Sequence, residues 1–192
     1  MFLGIYNVFD WVRLWHETTK QPSVHEAHGT DGGAAAGRVS YLFGMTGPCI
    51  SINTACSSSV VALDAACRHL QLHTCPAAMV AGVCMQLHPR SFAVFGALHA
   101  LSPDGQCKTF DVRADGYGRA EACGAIMLES TLANVLASSA VGGRSSTCVT
   151  GSAINQDGRS ASFMAPSGSA QQRVVLNAIN MSNGAIKSQM AH

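Results

Sequence analysis

One cysteine in this 192-residue chain has neighbours that can make it a nucleophile. Residues Ile50-Ser51-Ile52-Asn53 follow the turn pair Gly47-Pro48 and alternate apolar with small polar side chains, which is the pattern of a strand. Thr54, Ala55 and Cys56 come next, followed by Ser57, Ser58 and Ser59 and the apolar stretch from Val60 to Ala66. Small hydroxyls ahead of such a stretch suit the first turn of a helix, where they can satisfy free N–H groups. Cys56 is therefore expected at a strand-to-helix junction. A thiol there meets the positive end of the helix dipole, which favours the thiolate, and the same amides can hold the oxygen of a tetrahedral intermediate. The chemistry this arrangement suits is acyl transfer through a thioester on Cys56. The competing reading is a buried, inert thiol.

Other candidate groups are weaker. His25 and His28 lie in His25-Glu26-Ala27-His28-Gly29-Thr30, in a stretch from Thr18 to Gly37 read as loop. Either could act as base for Cys56 in a cysteine hydrolase, provided the loop folds back over the thiol. Cys67, His69, His73 and Cys75 include two histidines four apart, a spacing that shares a helix face. No second cluster supports them, and none of the eight cysteines forms a Cys-x-x-Cys pair, so no metal site is expected. Lys108, Asp111 and Glu121 are charges in a chain with only 12% charged residues, and structural, buried pairing is expected of them.

The elements that must position Cys56 follow from pattern and composition. Residues 1 to 6 are apolar and β-prone, and the chain opens on them as if within a domain. A short helix is expected from Asp10 to His16, with Trp11, Leu14 and Trp15 on one face. Ala77 to Cys84 is an unbroken apolar run, as for a strand buried on both faces. Residues 90 to 99 read as a helix, Leu101 to Gly105 as a turn, Gly124 to Glu129 as a strand, Leu132 to Ser139 as a helix, Thr147 to Ile154 as a strand, and Gln171 to Asn180 as an amphipathic helix. That alternation predicts one domain built on a mostly parallel α/β sheet. With 47% hydrophobic residues and a net charge of +1, the chain has no basic field for nucleic acid. Its longest apolar run, near Ala77 to Leu87, is too short to span a bilayer. The start carries no recognisable leader, so reduced thiols and a cytoplasmic location, with an organelle as the alternative, are expected.

Asn53-Thr54-Ala55-Cys56-Ser57-Ser58-Ser59 resembles the Asp-Thr-Ala-Cys-Ser-Ser-Ser signature of β-ketoacyl synthases, in particular the ketosynthase domains of type I polyketide synthases. The one departure is Asn53 in place of Asp. Further blocks support the resemblance: Ala36-Gly37-Arg38-Val39-Ser40-Tyr41, Leu101 through Asp111, Asp115 to Gly124, and Asn155-Gln156-Asp157-Gly158-Arg159-Ser160. In the block from Asp115, Ala120 and Ala122 stand where the family has glycines. Likeness runs from about residue 34 to about residue 180.

The resemblance implies a thiolase-like layered α/β/α/β/α fold, with residues 1–192 a partial domain holding most of its N-terminal half. It implies that Cys56 carries an acyl chain for decarboxylative Claisen condensation with a malonyl-type extender. The phosphopantetheine arm of an acyl carrier protein would present the substrates, with no tightly bound cofactor. A homodimer is implied too, pairing through residues 49 to 53. Family members complete the reaction with two histidines placed after the cysteine, in His-Gly-Thr and Asn-x-Gly-His motifs. None of the eight histidines here stands in a matching context. His28 in Glu-Ala-His-Gly-Thr has the right local spelling but precedes the cysteine. This chain alone is therefore expected to accept an acyl group without condensing it. The alternatives are a non-condensing protein that binds acyl groups or a carrier protein, and the cysteine hydrolase. Acyl chain length, and polyketide against fatty acid synthesis, stay open.

Overall fold

The computed structural model describes residues 1–6, 8–19, 21–130 and 147–190, with backbone alone over 184–190. Four strands form one sheet: β1 (Phe2–Tyr6), β2 (Ile50–Ile52), β3 (Ala77–Cys84) and β4 (Ala122–Glu129), in the order β2-β1-β3-β4. β1 runs parallel to both β2 and β3, and β4 runs antiparallel to β3 from Ala77↔Glu129 to Cys84↔Ala122. The helices are α1 (Val8–Thr18), α2 (Glu26–Gly29), α3 (Gly32–Leu42), α4 (Ser58–Gln71), α5 (Pro89–Ala97) and α6 (Gly168–Met190).

Strand alternation divides the core into two clusters. Phe2, Ala78 and Val80 point toward α4 and pack on Ala62, Ala66 and Leu70. Met1, Leu3 and Ala81 point the other way, onto Ala36 of α3. The sheet is thus covered by α4 on one face and α3 on the other, and α4 carries the chain from β2 past β1 to β3. Phe2 is fully buried, and its burial contributes about 2 kcal/mol. β2 lies at one edge of the sheet and β4 at the other, with most of β4 exposed.

Several sequence expectations change. The Thr18 to Gly37 loop contains α2 and the start of α3. Asp31 stops the loop by accepting the Gly33 N–H at 2.8 Å, and the alanines that follow are the best helix formers. Residues 147 to 154 form no strand. Their polar groups go to helices instead: Ser152 Oγ donates to Asp64 Oδ1 of α4 at 2.7 Å, and Thr150 Oγ1 accepts from Ser182 of α6 at 2.9 Å. The apolar run from Ala77 is a strand with the expected limits, though only partly buried. α1 and α6 extend beyond their expected limits, and the expected helix from Leu132 to Ser139 lies outside the described residues.

Candidate active site

Cys56 sits two residues before α4, in a turn whose geometry is set by its neighbours. Ala55, just ahead of it, is left-handed with φ 55°, a conformation costing a non-glycine residue about 1–2 kcal/mol. Short side chains offset that cost. Asn53 Oδ1 accepts the Ala55 N–H at 3.1 Å, the local bond by which Asn or Asp closes a turn on the backbone two residues on. An aspartate carboxylate would make the same bond, so the departure at Asn53 leaves the support of the turn intact. Buried Ser58 bridges the turn twice, accepting the Thr54 N–H at 2.8 Å and donating to the Ala55 carbonyl at 2.6 Å. Ser57 Oγ donates to the Thr54 carbonyl at 2.9 Å. The serines therefore fasten the turn and do not cap the helix, and no side chain caps the start of α4. The Ser57 and Ser58 N–H groups go to the Thr54 and Ala55 carbonyls at 3.4 and 3.2 Å, and Cys56 itself is exposed.

Sequence reasoning missed what lies beneath this turn. Gly4 of β1 and Gly82 of β3 are register partners. A Cβ on Gly4 would stand 2.5 Å from the Ser58 and Ser59 backbone, and one on Gly82 would stand 2.7 Å from Ser59 Cβ. The pair forms a platform that admits the first turn of α4 and so fixes where Cys56 emerges. The available signal was a glycine inside each strand, which marks close approach of another backbone.

Neither His25 nor His28 reaches the thiol. Both side chains are exposed, and no hydrogen bond among the described residues joins either to Cys56. His28, expected in a loop, lies in the single turn of α2, with its carbonyl accepting from Arg38 at 2.9 Å. The candidate metal cluster is dispersed: α4 ends at Gln71, His73 is left-handed beyond it, and His69 bonds Thr74 at 2.8 Å. Among the described residues no group of three or more potential ligands could hold a metal. Burial raises the Cys67 pKa, reinforced by nearby Asp64.

The charged residues singled out from sequence do not pair with one another. Lys108 Nζ lies 2.8 Å from both Asp115 carboxylate oxygens and 3.0 Å from Asp104. Asp111 pairs with Arg113 at 2.8 Å, and exposed Glu121 accepts the Gln86 N–H at 2.6 Å. Only Lys108 is well covered, since ion pairs along this loop keep their carboxylates near water. Arg119 was not foreseen. Its guanidinium lies 5.3 Å from the Phe92 ring centre and 4.6 Å from that of Phe95, and it donates to Gln86 Oε1.

Residues 2–134 match the family model described as "Beta-ketoacyl synthase, N-terminal domain". The chain is 39% identical over 171 residues to polyketide synthase GfsA of Streptomyces halstedii, covering 88% of this chain and 2% of that one. It is 43% identical over 147 residues to a highly reducing polyketide synthase of a Cryptosporiopsis species, covering 77% of this chain and 6% of that protein. Among solved structures, the oxazolomycin ketosynthase domain OzmH of Streptomyces albus superposes with a TM-score of 0.82 at 29% identity. The ketosynthase from module 6 of the bacillaene synthase of Bacillus subtilis gives 0.78 at 32%. Each of these alignments takes in 95% of this chain and 30% of the solved one, so the thiolase-like fold of ketosynthases extends over nearly all of it. Among the described residues no helix is long and apolar enough to cross a membrane. A turn built around Cys56 on a mixed, mostly parallel sheet, the matched model and these relatives agree: the chain belongs to the β-ketoacyl synthase family, as its N-terminal domain in the polyketide synthase type.

Proposed function

We propose that residues 1–192 form the nucleophile-bearing part of a ketosynthase domain and that Cys56 is the acyl acceptor of a β-ketoacyl synthase in polyketide synthesis. The observation that carries this reading is the Cys56 turn, exposed at the uncapped start of α4 and fixed by Asn53, Ser58 and the Gly4–Gly82 platform. In the transfer, the Cys56 thiolate attacks the carbonyl carbon of an acyl thioester. The developing oxyanion meets the Cys56 N–H, the bond from carbon to the donor sulfur breaks, and the donor leaves as a thiol after taking up a proton. The donor is the phosphopantetheine arm of an acyl carrier protein, and the second substrate of the whole domain is a malonyl thioester. β2, paired on one side only among the described residues, is the strand through which two copies would pair, and the reading carries with it a cytoplasmic location.

This chain alone supplies the acceptor without the two histidines that stabilise the enolate, so it acylates and does not condense. Loss of one such electrostatic group costs a hundredfold or more in rate, on the order of 3 kcal/mol. The test offers an acyl thioester and a malonyl thioester on carrier protein and follows both products by mass spectrometry. The expected result is an acyl adduct on Cys56, absent in Cys56→Ala, with no β-ketoacyl product. No adduct in the parent chain would overturn the acceptor role. A β-ketoacyl product lost in Cys56→Ala would show that this chain condenses unaided.

A further inference from the structure

The sheet-side wall of the Cys56 turn is built by β1 and β3. On the face of β1 toward α4, Phe2 lies under Ala62 and Ala66, and Gly4 touches Ser58 and Ser59. Tyr6 is the next residue on that face, one strand step past the glycine and so toward the residues that lead into α4, Cys56 among them. It is the register partner of Cys84, as Gly4 is of Gly82. The phenol is partly buried, and its hydroxyl makes no hydrogen bond to a described residue. Gln86 links Cys84 to Arg119, its Nε2 donating to Cys84 Sγ at 3.4 Å and its Oε1 accepting from Arg119 at 2.8 Å. Burial raises the Tyr6 pKa most, and Arg119 opposes the rise. Arg119 is held by Phe92, Phe95 and Gln86, which makes it a fixed cation on this side of the site.

We propose that Tyr6 is a specificity-determining residue of the Cys56 site, whose hydroxyl, with the Arg119 guanidinium nearby, bonds an oxygen substituent near the thioester end of the acyl group. The inference rests on Cys56 being the acyl acceptor. Once Sγ carries the acyl carbonyl, the next two carbons follow at once, and a hydroxyl beside the sulfur meets them and not the tail. A phenol can donate to a β-keto oxygen or exchange hydrogen bonds with a β-hydroxyl. A saturated chain leaves it without a partner in a partly dry site. Sites built to bond a substrate hydroxyl reject analogues lacking it, because their own polar groups are then unpaired.

The test compares 3-hydroxybutyryl and butyryl thioesters of N-acetylcysteamine as donors to Cys56, in the parent chain and in Tyr6→Phe, with adduct formation timed by mass spectrometry. The parent should take the hydroxylated group about tenfold faster, and Tyr6→Phe should lose that preference. Iodoacetamide alkylation of Cys56 at equal rates in the two proteins shows that the turn itself is unchanged. Equal rates for the two donors in the parent overturn the inference without recourse to any variant, and so does a preference that survives in Tyr6→Phe. Alkylation of Cys56 with uptake of neither donor overturns the acceptor role, and the Tyr6 inference with it.

Discussion

Two irregular segments of this protein each hold a non-glycine residue in the left-handed region, and they hold it by different means. In the turn at 53–58 the residue is Ala55, with φ 55°, and uncharged groups surround it: an asparagine amide, serine hydroxyls and a helix turn seated on two glycines. In the loop from 101 to 118 the residue is Phe110, with φ 61° and its side chain fully exposed. Two backbone bonds, Ser102 N–H to Tyr117 and Tyr117 N–H to Ala100, close that loop at 3.1 Å, while Lys108, Asp104, Asp115 and buried Ser102 lock its interior. Packing fixes the first segment, and charge fixes the second. The nucleophile stands on the one that proton and salt concentration disturb least.

The largest expected effect comes from breaking the packed segment. Gly4→Val would push a branched side chain into the Ser58 and Ser59 backbone, which cannot yield without shifting α4. Overpacking of this kind costs about 1–3 kcal/mol, more where backbone is struck, so the midpoint of urea unfolding should fall clearly. An unchanged midpoint would remove the platform from the account.

The charged segment should respond to pH and leave the Cys56 turn unmoved. Hydrogen bonds from Ser102 and Lys108 lower the Asp104 pKa to about 2, and Lys108 lowers that of Asp115. A depressed carboxylate pKa stabilises above the unfolded value of about 4, and that contribution disappears as pH falls through the folded value. Lys108 is raised, first by Asp115, so its contribution is complete below its unfolded pKa and is lost only in strong alkali. Lys108→Met should therefore destabilise measurably at pH 6 and progressively less toward pH 2, with Cys56 alkylation at pH 6 equal to that of the parent. A deficit that stays constant with pH would contradict the charge lock.

The site was more legible in the sequence than the fold around it. Cys56, the strand before it and the helix after it follow from local pattern, because alternation, a turn pair and small hydroxyls are encoded within a few residues. The glycine platform was hidden because it joins residues 4, 58, 59 and 82, which only the folded sheet brings together. The failed strand at Thr147 to Ile154 has a similar cause. Its propensity is that of a strand, but Asp64 and Ser182 take its polar groups and leave it beside two helices. Lys108 looked like one partner in a set with Asp111 and Glu121, whereas loop closure brings Asp104 and Asp115 to it.

Reactivity of the eight thiols is the most direct test of the central claim. Cys49, Cys56, Cys107, Cys123 and Cys148 are all exposed, so exposure does not single out any one of them. Only Cys56 adds the uncapped start of a helix, and Cys67 is disfavoured because burial raises its pKa. With a limiting amount of iodoacetamide on the folded protein, followed by peptide mapping, Cys56 should be alkylated first. Earlier labelling of Cys123, Cys84 or any other thiol, with Cys56 left free, would contradict the account.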